Sequence, residues 1–149
     1  MALFRPILIW LIALLTFSCR SSHNSDVMRI VYSHSSRSFR NQLILTPDSV
    51  ISSRENFRQN PVRTLQRRRI TSAEWNRLLH SLRKVDPEEI STLKAPGEKR
   101  AYDAASHGSI TIITRKQGSF THGFDDIDPH DVLQPLMGSI LDMKEMKQR

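Results

Sequence analysis

The chain has 149 residues, 38% of them hydrophobic and 25% charged, which is one domain's length and enough to bury a core without a metal or disulfide staple. A single cysteine excludes an internal disulfide framework, and five glycines with no clustered phosphate-binding pattern exclude a Gly-rich nucleotide loop. The net charge of +7 is uneven: residues 20–100 hold 16 Lys and Arg against 8 Asp and Glu, whereas residues 101–149 hold 5 against 7.

The chain begins with one basic residue, Arg5, followed by an apolar run from Pro6 to Phe17, then Ser18 and Cys19. A basic start, a short apolar stretch and a small residue at its end make a secretory signal, and the run is shorter than the ~20 residues a spanning helix needs. With Cys19 at the polar edge, residues 1–19 resemble a bacterial lipoprotein signal. Ser18 and Cys19 fit the lipobox, while Thr16 stands where Leu is usual and Phe17 where a small residue is usual. The resemblance implies cleavage after residue 18 and acylation of Cys19, palmitate among the chains. Arg20 is not the aspartate of inner-membrane retention, which points to the outer membrane. An exported basic domain meets lipid headgroups, anionic saccharides and other envelope proteins before nucleic acid, so the charge reads as a surface-contact feature. Residues 19–26 are then the lipidated cysteine and a small polar tether, 27–143 a single domain, and 144–149 a charged tail.

Val27 to His34 is β-branched and aromatic and reads as a first strand. Phe39 to Thr46 reads as a second, with Phe39, Leu43 and Leu45 on one face. After Pro47-Asp48, Val50 to Arg54 reads as a third. Arg54 to Arg69 carries six arginines and one acid. It is either a solvated loop or an edge strand defended by charge, with Arg63, Arg67, Arg68 and Arg69 as a possible anion-binding patch.

Ile70 to Val85 is the best-defined element. Thr71 and Glu74 make a capping box, Ile70 and Trp75 a hydrophobic staple, and Trp75, Leu78, Leu79 and Leu82 one apolar stripe. Asp86-Pro87 can cap a short second helix to about Leu93. Ser109 to Arg115 and Phe120 to Phe124 form a hairpin. Asp128-Pro129 looks like a cap for a final helix bearing Val132, Leu133, Leu136, Met137, Ile140 and Leu141. The expected fold is α+β: an antiparallel sheet of about five strands, ordered βββ-α-ββ-α, covered on one face by two helices.

The chemistry-bearing residues form no catalytic motif. His122, His130 and Asp103 are the candidates for a metal site or a small metal-dependent hydrolase, but no HExxH or paired-His spacing accompanies them, and turn, cap and strand roles account for them. No serine lies in a Gly-x-Ser-x-Gly elbow, and Cys19 is taken by lipidation, which removes a cysteine nucleophile. The aromatic–basic pairs Phe39-Arg40 and Phe57-Arg58 do not amount to a nucleic-acid surface. Residues 71–141 resemble small envelope lipoproteins, and more loosely the emfourin-type inhibitors of secreted metalloproteases, at Asp103, Ile110, Ile112, Pro129 and Leu133. These are core and cap positions, so the resemblance implies a shared fold and transfers no inhibitory residue. The expectation is a lipid-anchored envelope protein, non-catalytic and without a cofactor, that binds another envelope protein or an anionic surface. A protease-inhibitor-like module and a small hydrolase are the alternatives.

Overall fold

The computed structural model describes residues 26–58, 62–99 and 105–145. The expected signal with Cys19, the first part of the expected tether, Asp103 and residues 146–149 lie outside the described residues. The strands are β1 (Val27–Ser35), β2 (Phe39–Leu45), β3 (Ser49–Asn56), β4 (Val62–Arg69), β5 (His107–Thr114) and β6 (Gly118–Asp125). The helices are α1 (Ser72–Ser81) and α2 (Gln134–Glu145), with 3-10 segments at Pro87–Thr92 and Asp131–Leu133. The α+β architecture stands as expected, with one correction. The sheet has six strands, in the order β4-β3-β2-β1-β5-β6, every neighbouring pair antiparallel.

The extra strand is the arginine run. Val62 to Arg69 pairs along its whole length with Ser49 to Asn56 and forms one edge of the sheet. An edge strand needs no apolar alternation on both faces, and charge there opposes pairing with another chain.

Alternation along the strands decides which residues meet the helices. Ile30, Leu45 and Ile112 align in one cross-strand row, and Tyr32, Leu43 and Ile110 in the next; all six are buried. Trp75, Leu78 and Leu82 of the α1 region pack into the same core as Leu133, Leu136, Met137 and Ile140, and Ile90 joins them from the Pro87–Thr92 segment. Fully burying a side chain of this size contributes about 1.5–3 kcal/mol. The expected core is therefore the observed one, except that Leu79 and Val132 sit half-buried at its rim. The opposite face of the sheet carries exposed Arg29, Arg40, Arg63, Leu65 and Arg67 and half-buried Val31, Ile44 and Ile51.

Local signals explain the boundaries. The capping box at Thr71 forms in full: the Glu74 N–H donates to the Thr71 hydroxyl at 3.2 Å and the Thr71 N–H to the Glu74 carboxylate at 2.7 Å. Asp86 caps the following segment with Pro87 first, as expected, but the turn is 3-10. The final helix starts differently from expectation. Its leading turn is capped by His130, whose Nδ1 accepts the Val132 N–H at 3.3 Å, while Asp128 accepts instead from the Gln134 side chain at 2.9 Å. Gly118 begins β6 at φ +98°, a conformation that favours glycine.

The antiparallel order gives the domain two distinct ends. One gathers the start of β1, the β2–β3 turn, the end of β4 and the β5–β6 turn. The other gathers the β1–β2 turn, the end of β3 and the end of β6.

Candidate functional site

Pleating divides the arginine run. Arg63 and Arg67 share a face with Glu55 and Ile51, the exposed side of the sheet, and Arg69 is likewise exposed. Arg68 aligns with buried Val50 and turns to the helix side. Its Nη2 lies 2.9 Å from Glu74 Oε1, and its Nη1 donates to Glu74 Oε2 at 3.2 Å and to the Arg69 carbonyl at 3.0 Å. The first cause of Glu74's lowered pKa is this hydrogen bond from Arg68; the Thr71 bonds reinforce it against desolvation. Arg68 is thus a fastener between β4 and α1; of the four arginines expected as a possible anion-binding patch, Arg63, Arg67 and Arg69 are exposed, and Arg63 faces Glu55. Arg67 and Arg69 border an open hollow of about 720 Å³ with Pro47, Asp48 and Ser72.

On the exposed face Glu55 sits between Arg63, at 3.4 Å, and Arg40, at 3.8 Å. The Arg40 guanidinium also lies over the Phe57 ring, 5.8 Å from its centre, and not over its sequence neighbour Phe39.

His122 and His130 do approach each other, with ring centres 6.5 Å apart and planes nearly perpendicular. Their described contacts are structural. The His130 N–H donates to His122 Nε2 at 3.3 Å, and His130 Nδ1 receives the Val132 N–H, so on each ring one lone pair already serves a backbone amide. His122 is buried against Phe124, at 5.8 Å between centres. No group of three His, Cys, Asp or Glu suited to a metal occurs among the described residues, and Asp103 lies outside them.

A second polar grouping lies at the end of the sheet away from the start of β1. His34 Nε2–H donates to Asp126 Oδ1 at 2.8 Å, and the Ser106 hydroxyl donates to the same oxygen at 2.8 Å. Asp126 holds φ +48°, in the left-handed region that a non-glycine residue adopts at some cost. The Ser106 hydroxyl first, then His34, hold its carboxyl below the usual range. The Gly108 position is closed to larger residues, because a Cβ there would collide with the Phe124 ring and the Asp126 carbonyl. Nearby, the Tyr32 hydroxyl is buried with no hydrogen-bond partner among the described residues. Burial, and then the charge of Asp126, push it up to about 12. Carboxylate, histidine and serine meet here, with both the Ser106 and His34 donors converging on the carboxylate; beside them the Ser35 hydroxyl lies 3.0 Å from His107 Nε2, both groups outside the Asp126 bonds.

His34 opens a polar row on the helix side of the sheet: His34 aligns with Asn41, Asn41 with Arg54, and Arg54 with Thr64. Beyond it Phe39 aligns with Asn56. Ser38, Phe39, Asn41, Arg54, Asn56 and Arg58 line an open cleft of about 410 Å³ together with Glu55, the one acid of the lining, whose carboxylate is paired with Arg63 and Arg40. Sequence reasoning missed this site. Its signal was present in Asn41, which interrupts the inward positions Phe39, Leu43 and Leu45, but only the strand register brings Arg54 beside it.

No protein-family model matches the chain, and no curated protein matches it.

Proposed function

We propose that the protein is an exported, lipid-anchored envelope protein, held at the outer membrane through Cys19 and acting as a non-catalytic binding module. The observation that carries this reading is the charge at the end of the domain where the tether joins. Asp26 precedes β1 there; its carbonyl accepts the Arg115 N–H at 2.9 Å and its carboxylate pairs with Lys116 at 3.2 Å. Arg67, Arg69 and Arg115 are exposed at this same end, and so is Asp48, while the Glu74 carboxylate there is taken by Arg68. A lipid on Cys19 would bring these cations to the headgroup layer, where each basic side chain adds about 1 kcal/mol on an anionic surface. Two or three acyl chains already anchor a protein firmly, so the basic patch would set how the domain lies on the headgroup layer.

Flotation with vesicles separates the two signals. A Cys19→Ser variant should bind phosphatidylglycerol vesicles at low salt, release at high salt, and ignore phosphatidylcholine vesicles. Adding Arg67→Ala, Arg69→Ala and Lys116→Ala should reduce that binding by about tenfold or more. Equal binding to both lipids, or no effect of the three substitutions, counts against the reading.

A further inference from the structure

We infer that the cleft between the β1–β2 turn and the end of β3 is a binding site for an acidic saccharide unit, a hydroxylated ring carrying one carboxylate or phosphate. This rests on the cleft alone and is independent of the anchor. Its volume of about 410 Å³ falls within the roughly 300–1,000 Å³ of small-ligand sites. The chemistry of its lining narrows the ligand. Arg54 and Arg58 are both exposed and form no ion pair among the described residues, in contrast to Arg40, Arg63 and Arg68, which face carboxylates. Two unengaged guanidiniums on one cleft suit a single anion, which they can hold by charge-assisted bonds.

The amides supply the second element. The Asn41 side chain makes no described hydrogen bond although it is half-buried, and Asn56 spends its Oδ1 on the Arg58 N–H at 3.0 Å, which leaves its NH2. An amide offers both donor and acceptor, the pairing that adjacent hydroxyls require. Phe39, half-buried and held edge-on by His34 at 5.1 Å between centres, gives an apolar wall for the C–H face of a ring. His34 is itself fixed by Asp126, so the wall is braced from behind. The cleft lies at the opposite end of the strands from Asp26.

Calorimetric titration of the full-length protein, kept in a sugar-free detergent, tests this with glucuronate, glucose 6-phosphate, glucose and inorganic phosphate as probes. We expect glucuronate or glucose 6-phosphate to bind at least about tenfold more tightly than both glucose and inorganic phosphate, and which of the two binds tighter identifies the anion. Arg54→Gln with Arg58→Gln should remove about tenfold or more of that affinity while the melting temperature stays at the parent value. Backbone and amide NMR shifts of the parent protein should move at Asn41 and Asn56, a readout independent of any variant's folding. The inference is overturned if the charged sugars bind no better than glucose, if inorganic phosphate binds as tightly as they do, if the arginine substitutions leave the affinity unchanged, or if the shifts map elsewhere.

Discussion

Arg68 of the edge strand and Glu74 of α1 meet at 2.9 Å, and Glu74 is at once the third residue of the helix and half of its capping box. One carboxylate therefore closes the helix N-terminus and ties it to β4. Replacing Arg68 with Ala should cost about 1–2 kcal/mol, because a charged hydrogen-bond partner of a partly buried acid is lost. The neighbouring Arg67→Ala should change stability by less than about 0.5 kcal/mol, as exposed surface substitutions do. Denaturant titrations of the two single variants check the contrast.

The core assignment makes a second prediction. Leu78 and Leu136 are fully buried, one on each helix, so Leu78→Ala or Leu136→Ala should each cost about 2–5 kcal/mol. Leu79→Ala should cost clearly less, since its side chain lies at the core's rim. Thermal melts of the three variants should rank them in that order.

Much of this core was legible in the sequence and much of the site was not, for a physical reason. A capping box, a staple and a helical stripe are written within a few consecutive residues, so Thr71, Glu74 and the α1 leucines announced themselves. Partners that strand register brings together are far apart in the chain. Nothing local to Arg67-Arg68-Arg69 says that the middle residue turns inward, and nothing local to Asn41 says that Arg54 lies beside it. The sixth strand stayed one of two readings of Arg54–Arg69, a loop or a charge-defended edge strand, because an arginine-rich edge has the composition of a loop. The histidines show the converse: His122 and His130, candidates for a metal site in the sequence, do come together, but their ring nitrogens accept backbone amides.

Glycine positions separate a required absence of side chain from a tolerated one. Gly108→Ala forces a methyl group into the Phe124 ring and the Asp126 carbonyl and should destabilise by about 1–3 kcal/mol. Gly123→Ala, on the adjacent strand, meets open space and should be close to neutral. Paired denaturation curves decide it.

Acid should loosen the domain through two carboxylates. Glu74 and Asp126 both have folded-state values lowered, the first mainly by Arg68 and the second mainly by Ser106. Their contribution is present above the ordinary carboxylate range near pH 4 and is lost as the pH falls through their lowered values. The denaturant midpoint should drop between about pH 5 and pH 2–3. In Glu74→Gln and Asp126→Asn variants the stability at neutral pH should be lower and the drop shallower.

The anchor itself is read most directly from the N-terminus of the protein extracted from membranes. Mass spectrometry should find a first residue of Cys19 carrying two or three acyl chains, with residues 1–18 removed. A mature chain that begins elsewhere, or one in which Cys19 is unmodified, would contradict the account.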